Sequence, residues 1–411
     1  MSLDPYSKKS TSYGQKLRVA VFFGGRSPEH DVSVVTGLQI LKAIDQSKFE
    51  AFPVYIAPDG AWLVGDVLRE RNNYLLDANS RKLASEVTLD VNTATPSLLP
   101  KKSGLFGGKP IEFDVAVPSF HGLIGEDGNM QGLFEVSGIP YAGMRTMASG
   151  ILMDKVVTKY VLKSLGIPVL PFAVLNRPDS GYYIETAEIE KRVKDIGFPC
   201  IVKPSHLGSS IGVAKADNAE EIAACLPTIF AYDDVAIIEP FVQNLVEYNV
   251  AVAKFSGETK TSAIERPKAS DELLDFKQKY LSGGGKKTGT KTPGDSSQGM
   301  LSLTRELNPS LPAESEANLR KWAKILFEAI GGTGAPRIDY IGNSKTGELW
   351  MNEVNPWPGS IGYFLWEAAE DSVLFTDLMS ALINEAREVS KSKKLPKDPV
   401  PVDARLLKRP T

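Results

Sequence analysis

The sequence is poor in cysteine, with two cysteines among its 411 residues. Two cysteines do not support the disulfide framework of a small secreted domain. Cys200 and Cys225 could in principle pair, but two thiols in a chain of this size more often indicate a reducing compartment. We therefore expect both side chains to be free thiols, buried or half-buried.

An excess of charge of one sign is also missing, because 47 basic residues nearly balance 50 acidic ones and the formal net charge is −3. This balance provides no general electrostatic reason to bind nucleic acid or a membrane surface. No apolar run reaches the ~18–20 residues of a membrane-spanning helix, and no signal peptide pattern opens the chain. We expect a cytoplasmic enzyme with neither a nucleic-acid nor a membrane partner.

The length of the chain predicts two or three domains, because 411 residues are too many for one ordinary core. Residues 1–15 are polar and lack periodicity, so we interpret them as a tag or a disordered segment. Changes of pattern place domains at 16–143, 144–245 and 246–388, followed by a lysine- and proline-rich tail at 389–411.

The first domain has the pattern of an α/β fold with a parallel sheet. Buried strands are predicted at 16–23, 49–57 and 113–118, and a helix at 32–44. Gly24-Gly25 follows the first of these strands, and His121-Gly122 follows the third. Because parallel sheets bind ligands at the carboxyl ends of their strands, we expect these two loops to face one crevice.

Two pairs of polar residues near the C-terminus have the spacing of neighbours on one face of a strand. Glu353 and Asn355 are two residues apart on a strand that ends in a sharp turn, and Arg337 and Asp339 repeat the spacing. Carboxylate and amide oxygens are hard ligands, and Mg²⁺ commonly takes one or two carboxylates together with phosphate oxygens of the substrate. The pattern therefore predicts a nucleotide–metal site.

Two glycine-rich segments have the composition of functional loops. Residues Ser205 to Gly212 follow Lys203-Pro204, and their backbone N–H groups can approach phosphate closely where glycine lacks a Cβ. Residues 277–300 are rich in glycine, lysine and threonine, and a loop of this length in a compact domain is usually a lid or a disordered segment. We predict a mobile lid there.

The order of the motifs along residues 16 to 385 resembles that of the D-alanine–D-alanine ligase family of the ATP-grasp superfamily. The motifs that carry the resemblance are Gly24 to Ser33, His121 to Gly128, Asp154-Lys155, Lys203-Pro204 with Gly208 to Gly212, Lys279-Tyr280, Arg337 to Asp339 and Asn352 to Asn355. The resemblance implies a three-domain ATP-grasp fold, with ATP held between the central and C-terminal domains.

The reaction that the resemblance implies has two steps. The carboxylate of one D-alanine takes the γ-phosphoryl group of ATP, and the amine of a second D-alanine then attacks the acyl phosphate and expels phosphate. Phosphoryl transfer depends on neutralising charge and positioning the reactants. The product would be a precursor of peptidoglycan, and the resemblance also suggests a homodimer.

The resemblance assigns roles to individual residues of this chain. It implies that two Mg²⁺ or Mn²⁺ ions are held by Asp339, Glu353 and Asn355. The implied ATP-binding residues are Lys155, Lys203, Ser209, Ser210, Glu239, Phe241, Val242, Glu247 and Lys279. The implied catalytic residues are Glu29, Ser209, Tyr280, Arg337 and Gly359, of which the first three would form a hydrogen-bonded chain that closes the site. The implied substrate-binding residues are Glu29 and His121, and Ser360 is a candidate to join them.

The sequence departs from the family pattern after Pro358-Gly359. In the family, a serine binds the carboxylate of the second substrate, and it lies five positions after the glycine that corresponds to Gly359. This chain has Phe364 at that position. Either Ser360 or another group replaces that hydroxyl, or the second substrate differs. The leading hypothesis is a D-alanine–D-alanine ligase, and the alternative is a related ATP-grasp carboxylate–amine ligase with another second substrate.

A third hypothesis is an ATP-binding sensor without catalytic activity. Such a protein should have lost a metal ligand or one of the cations that contact phosphate. The residues that the resemblance assigns to these roles are all present, which disfavours this hypothesis.

Overall fold

The computed structural model describes residues 16–74, 82–91, 95–101, 108–208, 211–268, 305–392 and 400–406. These residues form three β-sheets with flanking helices. Within these ranges, no helix is long and apolar enough to cross a membrane. Cys200 is buried, Cys225 is half-buried, and both are free thiols, as predicted.

The N-terminal sheet has seven strands in the order β6-β5-β4-β3-β2-β1-β7. The strands are β1 (Leu17–Gly24), β2 (Phe49–Ile56), β3 (Trp62–Val64), β4 (Ser85–Asp90), β5 (Ser97–Pro100), β6 (Ile111–Glu112) and β7 (Val115–Pro118). Only β2, β1 and β7 pair in parallel, and these are the three predicted strands. The sheet is therefore mixed, because the short strands β3 to β6 extend it in antiparallel fashion.

The helices of this unit lie next to the parallel strands. Helix α1 (His30–Ala43) follows β1, and its buried face packs on β1 and β2. Two 3₁₀ turns, Asp66–Arg69 and Arg71–Tyr74, follow β3, and α2 (Asn129–Val136) follows the His121 loop. Both predicted loops therefore lie at carboxyl ends of parallel strands.

The central unit is built on a four-stranded antiparallel sheet with the order β10-β9-β11-β8. Its strands are β8 (Ala173–Asn176), β9 (Cys200–Pro204), β10 (Ala214–Ala216) and β11 (Val235–Pro240). Its helices, together with those that lead into it, are α3 (Thr146–Met153), α4 (Lys155–Ser164), α5 (Thr186–Val193) and α6 (Ala219–Phe230). Asp154 caps α4, because its carboxylate accepts hydrogen bonds from the backbone N–H groups of Val156 and Val157.

The C-terminal unit is built on a five-stranded antiparallel sheet with the order β14-β13-β12-β15-β16. Its strands are β12 (Leu245–Phe255), β13 (Glu258–Pro267), β14 (Arg305–Leu307), β15 (Arg337–Asn343) and β16 (Leu349–Asn355). Its helices are α7 (Ala313–Ala329), α8 (Tyr363–Glu367) and α9 (Phe375–Ser392), and 3₁₀ turns occur at Gly359–Gly362 and Val402–Ala404. Helix α9 extends past residue 389, where we had placed the start of the tail.

The two faces of this sheet pack against different parts of the molecule. Val250 and Val252 of β12 share a core cluster with helix α7. Ala251 and Ala253, on the opposite face, share a core cluster with α8, α9 and the strands β1 and β7 of the N-terminal sheet. This common core holds the N-terminal unit against the C-terminal sheet. The domain boundaries at 143 and 245 stay predictions.

Candidate active site

The two predicted spacing-two pairs lie side by side on neighbouring antiparallel strands. Asp339 of β15 is opposite Glu353 of β16, and Arg337 is opposite Asn355. Residues that face each other across antiparallel strands have side chains on the same face. All four side chains therefore meet in one patch, on the face that also carries Ala251.

Arg337 binds Asp339 through two hydrogen bonds. Its Nε is 2.6 Å from Oδ1 of Asp339, and its Nη2 is 2.7 Å from Oδ2. The Nδ2 of Asn355 donates to the same Oδ2 over 2.9 Å. This geometry holds a guanidinium and a carboxylate in one plane, which is the arrangement that orients an arginine most firmly.

The donor set of the patch fits a magnesium ion. It offers the carboxylates of Asp339 and Glu353 and the amide oxygen of Asn355, all of them hard oxygen ligands. Within the described part of the chain, no three histidine, cysteine, aspartate or glutamate side chains converge on one point. Two carboxylates are nevertheless sufficient for Mg²⁺ when phosphate oxygens and water complete its coordination.

Lysines of the central unit reach this patch. The Nζ of Lys155, at the first position of α4, is 3.5 Å from Oε2 of Glu353 and donates to the carbonyl oxygen of Leu207 over 2.6 Å. The Nζ of Lys203 on β9 donates to Oδ1 of Asn352 over 2.9 Å. Two of the three predicted ATP-binding lysines therefore border the proposed metal ligands, across the boundary between the two units.

Glu239 on β11 is a buried carboxylate between two lysines. It is 2 % exposed, its Oε2 is 2.6 Å from Nζ of Lys203, and its Oε1 contacts Nζ of Lys159. Burial alone would raise the pKa of Glu239, but the two ammonium groups lower it below its ordinary value. The sequence analysis missed Lys159, although it is one helical turn after Lys155 on α4 and lies on the same side of the helix.

Three further predicted ATP-binding residues lie within or just before β12. Phe241 and Val242 directly follow β11, and Nζ of Lys215 is 5.3 Å from the centroid of the Phe241 ring. Glu247 is an exposed residue of β12. Ser209, Ser210, Lys279, Tyr280 and the predicted lid at 277–300 lie outside the described residues.

His206 joins the glycine-rich loop to the N-cap of α4 and to the turn that follows α6, contacts that were not predicted from the sequence. Its Nδ1 is 2.8 Å from Oδ1 of Asp233, and its Nε2 is 3.3 Å from Oδ2 of Asp154. Hydrogen bonds to Asp154 and Asp233 raise the pKa of His206 to about 10. A protonated imidazole therefore bridges two carboxylates at the start of the loop that carries Gly208.

Glu29 lies where the N-terminal and central units meet. It is 7 % exposed, and a Cβ atom added at Gly122 or at Gly208 would run into its carboxylate. The carboxylate therefore packs directly on the backbone of the His121 loop and of the loop that follows Lys203. These two glycines permit the close approach because they lack a side chain.

His121 is buried between helix α1 and Glu126. Its Nε2 is 2.9 Å from Oγ1 of Thr36 on α1, and its Nδ1 is 3.9 Å from Oε2 of Glu126. Burial, followed by the charge of Arg337, lowers the pKa of His121 to about 3, so the ring is neutral near pH 7. A neutral imidazole next to Arg337 can donate or accept a hydrogen bond without adding charge.

Glu126 connects the His121 loop to the turn that follows β16, a contact that sequence reasoning missed. Its Oε2 accepts from the backbone N–H of Gly122 over 2.6 Å, and its Oε1 accepts from the N–H of Trp357 over 3.2 Å. Burial and the charge of Glu29 raise the pKa of Glu126 well above its ordinary value. Glu126 therefore positions the segment just before Gly359.

The turn after Gly359 has a strained backbone. Ser360, Ile361 and Gly362 all have positive φ angles, of 53°, 56° and 57°. This left-handed conformation costs about 1–2 kcal/mol for each non-glycine residue. The Oγ of Ser360 donates to Oε1 of Gln39 over 2.5 Å, and its N–H donates to Oγ1 of Thr36 over 3.4 Å. The hydroxyl that we had assigned to substrate thus contacts α1.

Comparisons with known proteins show which family this chain is similar to. The model of the D-ala D-ala ligase N-terminus matches residues 18–144, and that of the D-ala D-ala ligase C-terminus matches residues 161–384. The D-alanine–D-alanine ligase of Thermosipho melanesiensis is 30 % identical over 95 % of this chain and 98 % of its own length. The chain belongs to the D-alanine–D-alanine ligase family.

Other relatives of this ligase family agree in sequence and in fold. The D-alanine–D-alanine ligase of Enterococcus faecalis is 30 % identical over 90 % of this chain and 99 % of its own. The solved D-alanine–D-alanine ligase of Helicobacter pylori is 28 % identical and superposes with a TM-score of 0.66 over 90 % of this chain and 99 % of its own. The ligase from Coxiella burnetii is 23 % identical, with a TM-score of 0.73 over 92 % of this chain and 96 % of its own.

The membership confirms the predicted family, the ATP-grasp fold and the class of ATP-dependent ligase. Ligases of this family use ATP with a divalent metal and act on D-amino acids. The residues described above offer oxygen ligands for a metal and lysines for the phosphate groups of ATP.

Proposed function

We propose that the protein joins two D-alanine molecules at the expense of ATP and so supplies D-alanyl-D-alanine for peptidoglycan. The observation that carries the proposal is the patch in which Asp339 and Glu353 are cross-strand neighbours, Arg337 binds Asp339, and Lys155 lies 3.5 Å from Glu353. Oxygen ligands and phosphate-binding cations are what phosphoryl transfer from ATP requires.

The first step transfers the γ-phosphoryl group to the carboxylate of the first D-alanine. Lys155 and Lys203 contact phosphate oxygens, and Arg337 neutralises the charge on the transferred group. Asp339, Glu353 and Asn355 would hold the metal, for which we propose two Mg²⁺ or Mn²⁺ ions. When bound, these ions would supply positive charge that offsets the charge of the phosphate groups. Glu29 binds the ammonium group of this D-alanine through a charge-assisted hydrogen bond.

In the second step the amine of the second D-alanine attacks the carbonyl carbon of the acyl phosphate. The amine loses a proton, the bond between carbon and the phosphate oxygen breaks, and inorganic phosphate leaves. The N–H of Gly359 and the guanidinium of Arg337 stabilise the oxyanion that forms on the carbonyl oxygen, and such donors are worth roughly 3–4 kcal/mol each. Neutral His121 provides a hydrogen bond on the substrate side.

The proposal extends to parts of the chain beyond this patch. Tyr280 and Ser209, together with Glu29, close the site under the lid and exclude water from the acyl phosphate. Ser210, Lys279, Glu239, Phe241, Val242 and Glu247 complete the ATP site. A cytoplasmic location and a homodimer belong to the same proposal and rest on the family resemblance.

A second candidate is a ligase of the same type with another second substrate. The observation that favours it is that the Ser360 hydroxyl donates to Gln39, whereas a phenyl ring occupies position 364. Phosphate release measured across pairs of D- and L-amino acids, with products identified by mass spectrometry, decides between the two candidates. D-alanine alone should give the highest rate if the first proposal is correct.

The variant Glu353→Gln tests the metal assignment in the same assay. We expect phosphate release to be abolished, because the amide removes one of the two carboxylates. Wild-type rates in this variant would reject the assignment. A wild-type protein that releases no phosphate with any pair would instead support the ATP-binding sensor.

A further inference from the structure

The guanidinium of Arg305 lies over the ring of Phe364. The central carbon of the guanidinium is 4.2 Å from the ring centroid, which is the geometry of a cation–π contact. The Nη1 of Arg305 is 3.0 Å from Oε1 of Glu265, a carboxylate that is 4 % exposed. The ring and the carboxylate together hold the guanidinium in one orientation.

A row of side chains across the C-terminal sheet connects Arg305 to the metal patch. Glu265 of β13 is opposite Asn249 of β12, and Asn249 is opposite Asp339 of β15. The Nδ2 of Asn249 donates to Oε2 of Glu265 over 3.1 Å. Because residues opposite one another share a face, Glu265 and Asp339 lie on the same side of the sheet, about 10 Å apart at two strand spacings.

Phe364 lies on this same side of the sheet. Ala251 is two residues after Asn249 on β12 and therefore faces the same way. Ala251 belongs to the core cluster that includes Leu365 of α8, and Phe364 packs on that cluster. The pair formed by Arg305 and Phe364 thus borders the active-site face, at the end opposite to Glu353.

The proposed reaction calls for a group that binds the carboxylate of the second amino acid. The carboxylate of the second amino acid is not activated, stays ionised throughout and is retained in the dipeptide. Lys155, Lys203 and Arg337 are assigned to the phosphate and the reacting carbonyl. Arg305 carries five N–H donors, its side chain is 25 % exposed, and within the described residues its buried Nε has no hydrogen-bond acceptor.

We propose that Arg305, oriented by Phe364 and Glu265, binds the free carboxylate of the second amino acid and selects acceptors that carry one. Phe364 has no hydrogen-bond donor, so the guanidinium makes the contact and the ring fixes its plane. The inference rests on the proposed function, because it concerns the acceptor of the same ligation. Arg305 and Phe364 are specificity determinants in this proposal, and neither takes part in phosphoryl transfer.

The test is a competition between two acceptors that differ only in the carboxylate. Wild type, Arg305→Ala and Arg305→Lys are incubated with ATP and equimolar D-alanine and D-alaninamide, and the dipeptide and its amide are quantified by mass spectrometry. Wild type should form mainly the dipeptide. In Arg305→Ala the product ratio should shift about tenfold or more toward the amide, because a charge-assisted hydrogen bond is lost. Arg305→Lys, which keeps the charge without the planar stack, should fall between them.

The product ratio is independent of the amount of folded enzyme, so it stays informative if loss of the partner of Glu265 destabilises the variant. The matched control is Arg266→Ala, which removes the neighbouring arginine paired with Glu306 on the surface and should leave the ratio unchanged. If the ratio of dipeptide to dipeptide amide is unchanged in Arg305→Ala, the inference is overturned. A higher KM for ATP with no change in this product ratio overturns it as well. If wild type makes no dipeptide from D-alanine, it is the proposed function that fails.

Discussion

Lys203 and Glu239 form a buried ion pair with 2.6 Å between Nζ and Oε2. Lys159, which is fully buried, contacts the other carboxylate oxygen. One carboxylate thus lies between two ammonium groups in the interior of the central unit. The pair orients the lysine that we assign to ATP phosphate.

The variant Glu239→Gln should therefore destabilise the protein and weaken ATP binding. Removing one partner of a buried pair leaves an uncompensated charge and costs about 3–5 kcal/mol. Thermal unfolding should show a lower Tm, and steady-state kinetics a higher KM for ATP. Glu188→Gln, which removes the exposed partner of Arg192, is the control and should change neither quantity. Equal Tm values for the two variants would contradict the prediction.

The contact between Arg337 and Asp339 predicts a loss of activity in Asp339→Asn. The amide cannot form the doubly charged pair seen at 2.6 and 2.7 Å, and it is a weaker ligand for Mg²⁺. We expect kcat to fall about 100-fold or more and the Mg²⁺ concentration for half-maximal rate to rise, with thermal stability nearly retained. A wild-type magnesium titration in this variant would remove Asp339 from the metal site.

The bridge made by His206 predicts a stability that declines at alkaline pH. Its pKa is raised from 6.5 to about 10 in the folded protein. The protonated imidazole stabilises the fold fully at pH values below the pKa of the unfolded chain. This contribution is lost as the pH rises toward the pKa of the folded protein. Between pH 6.5 and 10, the Tm of wild type should thus fall more steeply than that of His206→Gln. Parallel Tm profiles would show that the charge of His206 contributes nothing.

Glu385 of α9 is a residue whose substitution should stabilise the protein, because its charge is unfavourable in the folded state. Burial raises its pKa from 4.5 to about 7, so a rise in pH through this range favours the unfolded chain, which loses the proton first, and the penalty is complete above about pH 7. Its Oε2 accepts from the N–H of Gly334 over 2.7 Å, a bond that glutamine can keep. Glu385→Gln should have a higher Tm than wild type at pH 8, and the difference should nearly vanish at about pH 4, below the pKa of the unfolded chain. A constant difference between the two pH values would point to packing rather than charge.

Local sequence patterns predicted those parts of the protein that depend on backbone geometry. Alternation along a strand placed Glu353 with Asn355, and Arg337 with Asp339, on one face. The three parallel strands of the N-terminal sheet and helix α1 were predicted to within a few residues. Strands β3 to β6 were not, because they are short and alternate weakly.

Contacts between distant segments were decided by the tertiary structure alone. The register of β15 against β16 places Asp339 opposite Glu353, and packing brings Glu126 to Trp357, 231 residues away in sequence. Stacking of Arg305 on Phe364 likewise joins residues from different elements. Side-chain alternation and glycine turns are properties of a few consecutive residues, so sequence reveals them. The contact partners, the burial and the pKa of a side chain depend on which remote segments the hydrophobic core brings together. A pattern in a few consecutive residues does not contain that information.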